Sequence, residues 1–344
     1  MKFTITLFLS LALVCQAAGQ RQQPAHTPNT SDDRRALEIN AQKGNAGAQY
    51  TLGAVYHDEG NFQKAYYWLR KSADQGHSYA QYGLGLMYYH GHGVEVDFSK
   101  SAEWFKKSAL QGYDESQYIL GLCYTEGRGL PINYQQAFYW FKKSADQNNE
   151  KSQYNLGYLY LHGKGVPASA QQALYWFKKS AENGFHLAQK DVATMYFKGQ
   201  GIQLDYKQAF YWFSKAAQQG NAVAQHGLGV CYMRGLGTEV NKYKSLHWWQ
   251  ESAKQDYPPA KTAIGSMYFH GDGVVKSYSE ALTWYYAAAK QGDAEAQYML
   301  GLMYYDGLGV KADNSLSAFW VKKAMDNGNA DAASFWKEKE LWKY

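Results

Sequence analysis

A chain of 344 residues can bury a large core, but 31 tyrosines and 33 glycines beside only six prolines are not the usage of an ordinary mixed domain. The formal charge of +5 comes from both signs interspersed, with no basic run, which speaks against nucleic acid as a partner.

The first twenty residues, MKFTITLFLSLALVCQAAGQ, place Lys2 before an apolar stretch and end in Ala17, Ala18 and Gly19. That order predicts a secretory signal peptide over 1–19, and the apolar core is shorter than the roughly 20 residues a bilayer span needs. Val14 stands where a lipid-modified Cys15 would want a small neighbour, so cleavage near Gly19 is expected instead. No later segment is apolar enough to cross a membrane, and the mature chain is expected in the periplasm or secreted. Residues 20–31, QRQQPAHTPNTS, offer hardly any apolar side chain and read as a flexible leader.

Beyond the leader the chain is periodic. Trp68, Trp104, Trp140, Trp176, Trp212, Trp248, Trp284 and Trp320 are each 36 residues apart. On the same grid recur LGLMYYHGHGV at 84, LGLCYTEGRGL at 120 and LGYLYLHGKGV at 156. In each unit a first helix carries apolar residues at helical spacing, as in Ala80, Leu84 and Tyr88, and a glycine pair stops it. Asp97, Asn133, Ser169, Asp205, Asn241, Ser277 and Asp313 then stand as N-caps of a second helix. That helix buries a stripe such as Ala137, Trp140, Phe141 and Ala145, and ends at a glycine, or at Asn148 or Asp256, in a left-handed cap. Eight such units fill 44–327. Residues 32–43 align with a second helix and 328–344 with a first helix, so each end carries a capping half-repeat, the latter with Lys337 and Glu340 on its outer face. The first unit lacks the four residues of the glycine loop yet keeps Asn61 on the grid.

The pattern A-x-x-x-L-G-x-x-Y, G-x-G-V, A-x-x-W-[FY]-x-K-[SA]-A resembles the Sel-one-like repeat (SLR) family, relatives of the tetratricopeptide repeats. The resemblance implies an all-α fold, a right-handed α-solenoid superhelix of eight helix-turn-helix repeats, serving as a scaffold or adaptor for protein complexes. Exported bacterial members are linked to envelope functions and host interaction. Some are cysteine-rich and bind or slowly hydrolyse β-lactams, but this chain lacks their disulfide framework.

The glycine loops hold no common chemistry. Between the paired glycines stand His92, Arg128, Lys164, Gln200, Leu236, Asp272 and Leu308, a variety that fits a sharp turn and not a phosphate or metal site. His90, His162 and His270 share one position without a third ligand nearby, and neither metal nor cofactor is expected. Cys123 and Cys231, three repeats apart, occupy a slot otherwise held by Met or Leu and are expected to be free, packed thiols. No paired carboxylates and no Ser/His/Asp or Cys/His set depart together from the repeat, so the chain is read as non-catalytic. Binding remains: the first helices are expected to line a concave groove that grips a protein or extended peptide. Its candidate residues are Tyr50, Tyr82, Tyr118, Tyr154, His226 and Tyr298 at one grid position, and Tyr89, Phe197, Phe269 and Tyr305 at another. A monomer is expected. The competing readings are a cell-wall-related or β-lactam-recognising hydrolase on the same fold, and a glycan binder using the aromatic platforms.

Overall fold

The computed structural model describes residues 30–344; the signal peptide and all but the last two residues of the leader lie outside the described residues. Among these there are eighteen α-helices and no strand. The chain divides into two compact units, one ending at Asn183 and one starting at Gly184.

The first unit opens with α1 (Ser31–Gln42). Thr30 accepts from the Asp33 amide while Asp33 accepts from the Thr30 amide, a reciprocal cap at its start. Four helix pairs follow: α2 (Ala46–Asp58) with α3 (Phe62–Asp74), α4 (Ser78–His90) with α5 (Phe98–Leu110), α6 (Asp114–Glu126) with α7 (Tyr134–Ala145), and α8 (Glu150–His162) with α9 (Ala170–Glu182). Each helix packs on the next in order, which is an α-solenoid. The second unit repeats the arrangement with α10 (His186–Lys198) and α11 (Tyr206–Gln218), α12 (Ala222–Arg234) and α13 (Lys242–Lys254), α14 (Pro258–His270) and α15 (Tyr278–Ala289), α16 (Ala294–Asp306) and α17 (Asn314–Asp326). It closes with α18 (Ala332–Glu338) and a single 3₁₀ turn over Leu341–Lys343. The closing helix is shorter than its alignment with a first helix suggests: Glu340 turns the chain through the left-handed region (φ 50°), and Leu341 folds back into the core.

The local chemistry is the one the repeat implies. Asp97 accepts from the Lys100 amide at 2.9 Å, and Asn133, Ser169, Asp205, Asn241, Ser277 and Asp313 cap their helices in the same way. Asn148 and Asp256 do adopt positive φ, at 67° and 63°. The glycine pair has two separate duties. Gly91 ends α4 at φ 75°, and Gly93 lies so close to α3 that a Cβ there would sit 2.5 Å from the Phe62 carbonyl oxygen. The loop is thus a contact between repeats.

The core follows the grid. In the first unit Phe105, Phe141, Leu84, Leu120 and Leu156 are fully buried, as is Met87. A row of buried glutamines joins the repeats: Gln81 donates to the Ala73 carbonyl at 3.2 Å and accepts from Gln111 at 2.7 Å, and Gln117 does the same with Ala109 and Gln147. Each amide is thereby a further donor to a carbonyl at the end of a second helix that already accepts from the amide of the glycine after it, Gly76 for Ala73 and Gly112 for Ala109. Cys123 and Cys231 are buried free thiols, pushed up to about 12 by burial.

Candidate functional site

One cleft of about 450 Å³ stands out in the second unit, within the size range of small-ligand and side-chain pockets. It opens along the first helices α12, α14 and α16. Thr262, Ala263 and Ser266 of α14 form its floor, where the corresponding residues of α6 are Tyr118, Ile119 and Leu122. Three large side chains become three small ones on one helix face, and the volume they would fill is the cleft. Its walls are Met233, Met267 and Met299 together with Trp249 and Tyr285, and its polar rim carries Arg234, His270, Asp272 and Glu295.

The position of each group has a local cause. The Trp249 indole is fixed by donating to the His226 carbonyl at 3.1 Å, and its ring stacks on the His226 imidazole at 6.3 Å. Burial lowers the His226 pKa to about 4, with Asp293 acting in the opposite sense, so the imidazole facing the cleft is neutral near pH 7. Thr262 donates to Asp293 at 2.9 Å, which ties the floor to the start of α16. Lys242 pairs with Asp272 at 2.8 Å and holds that carboxyl below its usual range. Three methionines give the wall an apolar surface that adapts its shape.

The groove residues expected from the sequence are placed differently. Tyr82 is fully buried, and Tyr50, Tyr118 and Tyr154 keep 9% or less of their surface, so these four cannot form an open ladder and the groove reading is corrected for them. Each of Tyr82, Tyr118 and Tyr154 lies against the phenylalanine of its own second helix, at 5.6, 6.1 and 5.3 Å between ring centroids. Tyr50 stacks on His77. Tyr89, Phe197 and Phe269 are half-buried and pack on Phe98, Tyr206 and Tyr278 at the start of the second helix that follows. Tyr298 and Tyr305 are half-buried against Phe335 of the closing helix. Of the ten, His226 alone lines the cleft. The other lining residues were missed because α14 loses volume at several positions jointly, and a position-by-position reading does not register that.

Histidines of the first glycine loop do meet a neighbour: His57 Nε2 lies 3.0 Å from His92 Nδ1. The two rings are hydrogen-bonded to one another. Among the described residues no group of three or more His, Cys, Asp or Glu is placed to hold a metal ion, and no helix is long and apolar enough to cross a membrane.

The family model for the Sel1 repeat matches eight consecutive segments, beginning with 46–77 and 78–113 and ending with 294–329. The chain belongs to the Sel1 repeat family. It is similar to a Sel1 repeat protein of Oxalobacter formigenes, with 29% identity, a TM-score of 0.68, and 92% of this chain and 94% of that one covered. It is also similar to a protective antigen of uropathogenic Escherichia coli that displays an SLR fold, with 30% identity, a TM-score of 0.51, and 87% of this chain and 80% of that one covered. No curated protein matches it. Sel1 repeat proteins generally act as protein-interaction scaffolds.

Proposed function

We propose that this Sel1 repeat protein is an exported, non-catalytic scaffold whose second unit grips a protein partner by seating one large apolar side chain in the cleft floored by Thr262, Ala263 and Ser266. The observation that carries the reading is the joint loss of volume on α14, which leaves about 450 Å³ walled by Met233, Met267, Met299 and Trp249. Such a pocket desolvates an aromatic or long aliphatic anchor, the kind of group that dominates binding energy at interfaces. The rim supplies both signs of charge, Arg234 against Asp272 and Glu295, suited to the polar residues flanking the anchor in an extended segment. The resemblance to a protective antigen supports an exported location for the whole chain.

A random peptide display selection on the full chain tests this. The triple variant Thr262→Tyr, Ala263→Ile, Ser266→Leu rebuilds the α6 surface and fills the cleft. Selected peptides should share one aromatic or long aliphatic residue and lose at least about tenfold in affinity, about 1.4 kcal/mol, on the filled variant. Peptides that bind both proteins equally would place the docking surface elsewhere.

A further inference from the structure

The first glycine loop gathers three of the ten histidines of the chain. His57 stands in the last turn of α2, His90 ends α4, and His92 lies between the paired glycines that follow. His57 Nε2 is 3.0 Å from His92 Nδ1. The His92 ring stacks on Phe62 of α3 at 4.4 Å and on His90 at 5.4 Å between centroids, and the His57 ring lies 5.1 Å from the same Phe62. The contact belongs to the repeat. In the next unit the same two positions are Tyr89 and Arg128, whose guanidinium lies over the tyrosine ring at 5.6 Å. In none of the later repeats are both positions histidine.

Two neutral imidazoles meet at this distance with one N–H against one lone pair, so one nitrogen is already an acceptor aimed into the gap. The far side of His57 decides which. Asp58 Oδ1 lies 3.7 Å from His57 Nδ1, a nitrogen with no hydrogen-bond partner among the described residues, on a side chain only 12% exposed. A carboxylate there favours the Nδ1–H tautomer and leaves the Nε2 lone pair facing His92. A carboxylate behind one ring nitrogen and a free lone pair on the other is the arrangement that orients a metal-ligating histidine. Moving the His92 proton from Nδ1 to Nε2 turns the second ring to the same use.

We propose that His57 Nε2 and His92 Nδ1 bind a zinc ion, with His90 as third ligand and water completing a tetrahedral set. Two nitrogens on one tetrahedral zinc, each at about 2.0–2.1 Å, stand about 3.3 Å apart, so the pair has to open by only a few tenths of an ångström. As the rings stand these two donors converge, and no third is in place. His90 is exposed and stacked on His92, so a rotamer change in solvent supplies it at little cost. Phe62 gives both ligating rings an apolar wall. A set of imidazoles selects zinc over magnesium or calcium, which want oxygen. The ion ties the end of α2 to the loop of the following repeat.

The full chain, without a histidine tag and stripped with a chelator, is titrated with Zn²⁺ in a calorimeter. Wild type should bind one Zn²⁺ with a Kd of about 10 µM or tighter, and should melt higher with the metal than without it. His57→Gln and His92→Gln should each weaken binding at least about tenfold and abolish the rise in melting temperature, and His90→Gln should weaken it about threefold or more. Melts of the metal-free variants show that each one folds. Should the buried His57 not tolerate replacement, the half-buried His92 carries the test. His162→Gln with His270→Gln, histidines of other repeats, should bind as wild type, and Mg²⁺ should not bind. The proposal is overturned by no stoichiometric binding to wild type, by any of the three variants binding as wild type, by lost binding in the His162 and His270 control, or by Mg²⁺ binding as tightly as Zn²⁺.

Discussion

The Lys261 ammonium lies 2.5 Å from the Asp256 carboxylate, in the one repeat whose first helix lacks the glutamine that the other seven place there. A lysine donates but cannot accept, so the row of side-chain amides is interrupted. Gln255 still donates to Gln225 at 2.8 Å, and the row resumes where Gln297 donates to the Ala289 carbonyl at 3.0 Å. Lys261 is 8% exposed, so the site also holds a cation largely out of water, with a partner that faces solvent. Burying a charge costs more than an exposed partner returns. Lys261→Gln should therefore stabilise the protein by about 1 kcal/mol, the worth of one completed amide bond. Urea unfolding measures it; a lower midpoint would mean that the ion pair outweighs the desolvation it requires.

Acid should weaken the fold through its buried imidazoles. His226 is held at about 4 by burial, below its ordinary 6.5, and His57 also at about 4 by burial and then by repulsion from His92 and His90. A base with a depressed folded pKa takes up its proton more readily unfolded, so stability is full above about 6.5 and is lost as pH falls towards about 4. His226→Gln removes one such group. Melting curves of wild type should fall between pH 6.5 and 4, and those of His226→Gln should fall less. Parallel curves would show that His226 is protonated equally in both states.

Gly121 reports on how closely the two helices of a repeat approach. A Cβ at this residue would sit 2.5 Å from the Phe141 ring, which is fully buried and cannot step aside. Gly121→Ala should cost about 1–3 kcal/mol, as overpacking does. Trimming the ring with Phe141→Leu should make the alanine cheaper, and a double-mutant cycle measures the coupling directly. Strictly additive losses would show that the contact is not the cause.

The period, the helix pairs, the caps and the thiols could be read from the sequence because each repeat touches only its neighbours, so the same local demand recurs every 36 residues. Exposure could not be read so well. The groove assignment treated one side of the first helix as open, yet in α4 nine consecutive residues, Ala80 to Tyr88, are buried. That helix is packed against its own partner and the preceding second helix, and Tyr82 also meets Tyr113 at the turn into the next repeat. A tyrosine suits such a wedge as well as it suits a groove, and residue type alone does not distinguish them. The cleft lay hidden for a related reason: Thr262, Ala263 and Ser266 are each unremarkable, and only their coincidence on one face leaves space.

Tyr82 offers the sharpest contrast between packing and binding. Its ring is fully buried between Phe105 and Tyr113, at 5.6 and 5.2 Å, and its hydroxyl has no hydrogen-bond partner among the described residues. Burial and the nearby Glu115 raise its pKa well above 10, so the hydroxyl is neutral at any physiological pH. A buried hydroxyl without a partner carries its desolvation cost, about 1–3 kcal/mol, with nothing in return. Tyr82→Phe keeps the ring and removes that cost, so unfolding should shift to higher urea while peptide affinity for the cleft stays unchanged. Tyr82→Ala should do the reverse to stability, opening a cavity worth about 3–5 kcal/mol. A Tyr82→Phe protein less stable than wild type would mean that the hydroxyl finds a partner in solution, and one that loses peptide binding would return this position to the recognition surface.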